Sequence, residues 1–195
     1  MLATTLLSLA CFGLSACSAI DTRRGVGRSP TGQDKATISN FSWKGVANET
    51  GVDPFDYLPS SDSHAETLAC TKAGLSPSAA SVSFTNIWLQ GDGPGRLDCP
   101  HAMQGWDELV DKQGFLNIDA GQCWASSKGC CQTVVCAPSS DELRIRLGEA
   151  TGRMWMPLTT KCVSGGRGGL WVDKGWKLYV QLVRPASDQC LGIAP

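Results

Sequence analysis

The sequence predicts an α+β fold, a small disulfide-stapled antiparallel sheet with one or two helices packed on it. Three observations predict it. Eight cysteines lie between Cys70 and Cys190, short β-branched and aromatic runs recur around them, and the segment from Asp98 to Val110 carries apolar residues at helical spacing. With 195 residues, 42% of them hydrophobic and 18% charged, the chain is long enough to bury one core, so a single domain is expected and the disulfides need not replace a core.

The N-terminus sets the compartment. Residues 2–16 form an uncharged apolar run, and the small residues Cys17, Ser18 and Ala19 follow, which is the order of a secretion signal with its cleavage site. Cleavage is expected after Ala19, with Ser18 the neighbouring choice. The run is too short to span a bilayer once its small residues are discounted. Leu14-Ser15-Ala16-Cys17 also fits a bacterial lipoprotein box, but no Lys or Arg precedes the apolar run, as export signals of that kind usually require. Arg23-Arg24 reads either as a dibasic processing site cut after Arg24 or as two solvated charges in a leader. Residues 20–35 read as a disordered leader or propeptide, leaving 36–195 as one cysteine-rich domain. Cys11 and Cys17 leave with the signal. The even set Cys70, Cys99, Cys123, Cys130, Cys131, Cys136, Cys162 and Cys190 then implies four disulfides in a secreted, extracellular chain, each contributing on the order of 2–4 kcal/mol.

Each element follows from local pattern. Ile38, Phe41, Trp43 and Val46 suggest a first strand with imperfect alternation. Asn40-Phe41-Ser42 and Asn48-Glu49-Thr50 match the N-glycan acceptor pattern and mark an exposed surface in a secreted eukaryotic chain. Residues 51–64, with Pro54, Pro59 and a Ser/Asp cluster, read as a loop. Leu68 begins the cysteine-bearing part. Val82, Phe84, Asn86 and Trp88 interleave with Ser83, Thr85, Ile87 and Leu89 in a β-type run that ends in a Gly91-Asp92-Gly93-Pro94-Gly95 turn. Asp98 stands at an N-cap position with Pro100 in the first turn, and Ala102, Met103, Trp106, Leu109 and Val110 fall on one helical stripe that Gly114 stops. Cys99, at the start of that helix, is placed to tie it to the sheet.

Phe115, Asn117 and Asp119 alternate with Leu116 and Ile118 in a short strand that leads to Cys123-Trp124. The stretch 129–136 is β-branched and cysteine-rich. Adjacent side chains of a strand point to opposite faces, so Cys130 and Cys131 are expected to bond to separate partners and clamp both sides of one strand. Residues 139–158 admit two readings. Ser139 with Glu142 forms a capping box before a helix, whereas Leu143, Ile145 and Leu147 alternate with Arg144 and Arg146, and Met154, Met156 and Leu158 alternate after the 148–152 turn, as in a hairpin. After Cys162 comes the cluster Gly165-Gly166-Arg167-Gly168-Gly169, read as a flexible turn because it lacks the Gly-Lys-Ser/Thr ending of a phosphate loop. Residues 170–172 and 176–183 then form two strands joined by Asp173-Lys174-Gly175, and Cys190 fastens the end.

Charge and motif content narrow the function. The formal net charge is −1, and removal of Asp21, Arg23 and Arg24 with the leader takes it to −2, so no basic field exists to hold nucleic acid. No run after the signal is long enough for a membrane helix. His64 and His101 are the only histidines, and neither lies in a nucleophile motif. With every mature cysteine bridged there is no thiolate for catalysis, and export favours disulfides over zinc for the close set Cys123, Cys130, Cys131 and Cys136. No cofactor or metal is expected. Trp88 and Trp106 fall on buried stripes, while Trp43, Trp155, Trp171 and Trp176 are open to either burial or sugar stacking. Asp107, Glu108 and Asp111 read as a solvated helix face rather than a catalytic carboxylate pair.

Taken in order, these residues carry a resemblance. Asp98-Cys99 before an amphipathic helix, Gly121-Gln122-Cys123-Trp124, a cysteine-bearing strand, Asp141 opening a second helix, and Cys162 with a Gly-rich loop before the strand 176–183 resemble fungal secreted effectors of the extracellular-protein-2, necrosis-inducing type. That family is distantly similar to the killer toxin of smut fungi. The resemblance spans roughly residues 68–184 and rests on the order of cysteines and helices; the vicinal Cys130-Cys131, the long N-terminal extension and the weak second helix depart from it. It implies an α+β sandwich, no catalytic centre, and virulence action on a host plant or a competing microbe, and it favours the helix over the hairpin for 139–158. The leading expectation is therefore a monomeric effector or toxin-like protein that binds an extracellular protein or glycan. A carbohydrate-binding cell-wall module and a small secreted hydrolase are the alternatives.

Overall fold

In the computed structural model, which describes residues 35–58, 65–71, 93–185 and 190, six strands build one antiparallel sheet. They are β1 (Thr37–Ser42), β2 (Thr67–Cys70), β4 (Gln122–Lys128), β5 (Cys131–Cys136), β7 (Gly169–Val172) and β8 (Tyr179–Val183), in the spatial order β1-β4-β5-β8-β7-β2. A second sheet pairs β3 (Phe115–Ile118) with β6 (Leu143–Arg146). The α+β, disulfide-stapled fold expected from the sequence is what the chain adopts. Every residue of β5, β7 and β8 is buried, which is why these strands read as continuous β-branched and apolar runs rather than as clean alternation.

Both faces of the sheet are covered. On one face lie α2 (Cys99–Gln104), the 3-10 turn Gly105–Glu108, the β3–β6 pair and α3 (Leu147–Arg153), enclosing Trp106, Leu116, Ile118, Met154, Leu158, Val135, Val180 and Leu182. On the other, α1 (Val46–Thr50) and the turn Pro54–Asp56 enclose Val46, Leu58, Val134, Leu170, Val172 and Tyr179. A buried polar chain fixes α2 to the sheet. The Trp106 indole Nε1 donates to Thr133 Oγ1 at 2.8 Å, that hydroxyl donates to the Ser126 carbonyl at 3.1 Å, and the Ser126 hydroxyl donates to the Ala102 carbonyl at 2.6 Å. Gly105 permits this approach: a Cβ there would lie 2.2 Å from Ser126 Oγ and 2.7 Å from Ala36 Cβ.

Several expectations are corrected. The helix from Asp98 is one α turn and a 3-10 turn, not a stripe reaching Val110, and Leu109 and Val110 pack on the core from beyond it. Asp98 does not cap it with its side chain, because that carboxylate is engaged elsewhere. The chain leaves β1 through a 3-10 turn and then α1, where the sequence suggested a strand running to Val46. Residues 139–158 combine both readings. The alternation at Leu143 and Ile145 belongs to β6, and the helix starts only at Leu147. Ser139 makes a local turn, accepting from the Asp141 N–H at 3.3 Å, rather than opening a helix. Met154 to Leu158 are mostly helical, broken at Met156, which precedes Pro157 and has left the helical region. β8 begins at Tyr179, since Trp176 adopts a φ of 58° in the connecting turn. The glycine cluster is open at Gly165 and Gly166, as a turn would be, and packed at its end: a Cβ on Gly169 would lie 2.7 Å from Cys162 Sγ and one on Gly168 2.9 Å from the Leu182 carbonyl. The signal with Ala19, Arg24, the leader up to residue 34, the β-type run 82–89, His64 and Trp88 lie outside the described residues.

Candidate functional site

Three disulfides organise the described chain. Cys99–Cys131 ties α2 to β5, Cys123–Cys136 joins facing residues of β4 and β5, and Cys70–Cys162 ties β2 to the chain after α3. Cys130 and Cys131 do not bond to each other. β5 is clamped on both faces, but by Cys131 and Cys136; Cys130 lies before the strand, in the β4–β5 turn. Cys130 and Cys190 are thiols, where the even count called for a fourth bridge. Burial and the hydrogen-bonded Cys130 side chain push the Cys190 thiol up to about 11.

Cys99–Cys131 fixes α2 to the sheet, and an open groove of about 260 Å³ runs between α2 and α3. Pro100, Met103, Gln104 and Asp107 form one wall, and Leu147, Thr151 and Trp155 form the other. On the α3 side its lining includes Trp155, 46% exposed, and the next residue in the chain, Met156, is 67% exposed. Arg153 sits over the Trp171 ring, 4.5 Å from its centroid; Trp171 is core, while Trp155 is at the surface.

A second aromatic group lies on the opposite face. Trp43 meets Tyr179 edge-on at 4.9 Å and Phe55 edge-on at 6.1 Å, and exposed Phe55 stacks on Trp176 at 6.0 Å. Trp43 and Trp176 are half-buried, so this group is chiefly a cover for the core and not a row of coplanar exposed indoles. Burial, reinforced by the charge of Asp53, raises the Tyr179 phenol well above its ordinary range.

The other sequence candidates are dispersed. His101 is exposed on α2 and, among the described residues, makes no hydrogen bond to a Ser, Thr, Asp or Glu side chain. Asp107 lines the groove, Glu108 pairs with Lys35 at 2.8 Å, and Asp111 caps a turn. The Asp111 carboxyl is held below its ordinary value chiefly by the Phe115 N–H, against a smaller opposing effect of desolvation, with Gln113, Asn117 and Arg144 adding to the lowering. These three carboxylates therefore have separate roles. Asn40 on β1 and Asn48 on α1 are both exposed, while the Thr50 hydroxyl of the second acceptor is buried and donates to the Val46 carbonyl at 2.8 Å. Among the described residues no three His, Cys, Asp or Glu side chains group as a metal site, and no helix is long and apolar enough to cross a membrane. The groove was not legible in the sequence, because Met103 and Trp155 meet only through the packing of two short helices. No protein-family model, no curated protein and no solved structure matches the chain.

Proposed function

We propose that the protein is a secreted, cysteine-rich effector or toxin-like protein that acts by binding at the exterior of a host or competing cell, with the groove beside Trp155 as its contact surface. One observation carries this reading: of the four large apolar side chains exposed among the described residues, Trp155 lines the groove and Met156 is the next residue in the chain. Contiguous exposed apolar groups on a rigid scaffold are the usual mark of a recognition surface, and Trp is the residue type most enriched among binding hot spots. The three disulfides support an oxidising destination.

The reading is tested by applying purified protein to plant tissue and to competing fungi and scoring cell death or growth inhibition. Trp155→Ala combined with Met156→Ala should reduce the effect at least about tenfold at an unchanged thermal midpoint, as loss of a hot spot of about 2 kcal/mol would. His64→Ala combined with His101→Ala should leave it intact. An essential histidine pair in a folded variant would replace binding with a secreted hydrolase. A second reading is favoured by the polar residues on both walls of the groove: Gln104 and Asp107 on one and Thr151 beside the indole on the other suit a sugar ring, which needs an apolar face and hydrogen-bonding edges. Cosedimentation with insoluble cell-wall polysaccharide, lost in the Trp155→Ala variant, would establish that the target is a glycan.

A further inference from the structure

We propose that Cys130 and Cys190 are the site of a fourth disulfide, closed by exchange with a small disulfide of the glutathione class, that fastens the chain beyond β8 to the β4–β5 turn. Cys130 is held from both sides. Its N–H donates to Asp98 Oδ2 at 2.8 Å, its carbonyl accepts from the Gly95 N–H at 2.6 Å, and the next residue, Cys131, is bridged to Cys99. The Asp98 carboxylate fits here only because Gly95 and Gly129 lack side chains: a Cβ would lie 2.5 Å from Asp98 Oδ2 at the first and 2.6 Å from Asp98 Cγ at the second. Cys190 is delivered to the same spot. Its Sγ lies 3.5 Å from the carbonyl of Gly129, the residue before Cys130, and its own carbonyl accepts from the Arg184 guanidinium at the end of β8. The two thiols are close enough that Cys130 helps raise the proton affinity of Cys190, and the other six cysteines from Cys70 onward are already paired. Of the pairings open to eight cysteines, one remains.

Access orders the steps. Cys130 is half-buried and Cys190 only 6% exposed, so Cys130, as its thiolate, is the group that attacks the small disulfide. The first small thiolate leaves and Cys130 carries the second as a mixed disulfide. Cys190 then loses its proton, attacks the Cys130 sulfur and expels the second small thiolate. Two protein thiols give up two electrons and two protons, and one small disulfide is reduced to two thiols. Burial of Cys190, which both shields its sulfur and disfavours its thiolate, makes this second step the slower one at neutral pH.

The test uses the full secreted chain, equilibrated with oxidised and reduced glutathione, quenched with N-ethylmaleimide and mapped by peptide mass spectrometry without reduction. A peptide joining Cys130 to Cys190 is expected, in a protein two hydrogens lighter than the three-bridge form. Mild reductant should reopen this bridge about tenfold faster than Cys99–Cys131 or Cys123–Cys136, whose cysteines are almost fully shielded. The Cys190→Ser chain should accumulate glutathione on Cys130, and the Cys130→Ser chain should leave Cys190 unmodified. Alkylation of both thiols after oxidation, a mixed disulfide that persists on Cys130 in the unsubstituted chain, or a bond from either residue to another cysteine would each overturn the proposal.

Discussion

Thr133 shows how one hydroxyl holds a helix to a sheet. It accepts the only N–H of the fully buried Trp106 side chain and passes its own proton to the Ser126 carbonyl, so removing it orphans the indole N–H and breaks a second hydrogen bond. Thr133→Val keeps the shape and is expected to cost about 1–3 kcal/mol in urea denaturation, while Trp106→Phe in that background should recover part of the loss. Tyr179 is the opposite case. Its hydroxyl is buried with no hydrogen-bond partner among the described residues, and its phenol is raised well above the ordinary value of 10.0. A raised acid binds its proton more tightly in the folded chain, so this stability is fully present below the unfolded value near 10 and is lost as pH rises toward the folded one. Alkaline unfolding should therefore shift to higher pH in Tyr179→Phe, whose stability at neutral pH should be equal to or slightly above that of the unsubstituted chain; an unchanged alkaline midpoint would show that Tyr179 does not drive it.

At the scale of elements, α2 stands unusually close to β4 because residue 105 is glycine. Gly105→Ala should lower stability by about 1–3 kcal/mol through overpacking, and less so in a Ser126→Ala background, since Ser126 Oγ is the nearest atom met. Thermal midpoints of the four proteins measure this. How much was legible follows the same lines. β3, β5 and the β7–β8 pair are visible because β-branched and apolar residues at those positions have no competing local pattern. The stretch 139–158 was ambiguous because Ser139, Glu142, Leu143 and Ile145 encode a cap and an alternation together, and only pairing with β3 decides for the strand. α1 was missed because its five residues are too few to show a period. The helix stripe from Ala102 overreached because Leu109 and Val110 face the core from a turn as well as they would from a helix. The groove could not be foreseen, since its walls come from segments separated by β3 to β6.

For the whole molecule, the disulfides differ in what they enclose. Cys70–Cys162 spans 92 residues and Cys123–Cys136 spans 13, so chain entropy assigns about 4.6 kcal/mol to the first and about 2.9 to the second. Replacing the first pair by Ala should cost more in chemical denaturation than replacing the second; the reverse order would mean that native packing rather than loop closure sets their worth. The sheet order has a further result for biosynthesis. Both edge strands come from the early part of the described chain, yet β1 pairs with β4 and β2 with β7: Thr37 faces Ser127 and Thr67 faces Val172. A chain emerging from the ribosome thus exposes β1 and β2 long before their partners exist, and β2 waits about a hundred residues. Such high contact order makes folding slow and leaves open strand edges in the interval. The sheet therefore cannot close before β7 and β8 have emerged, and the yield of folded protein will depend on what shields those two edges while they wait.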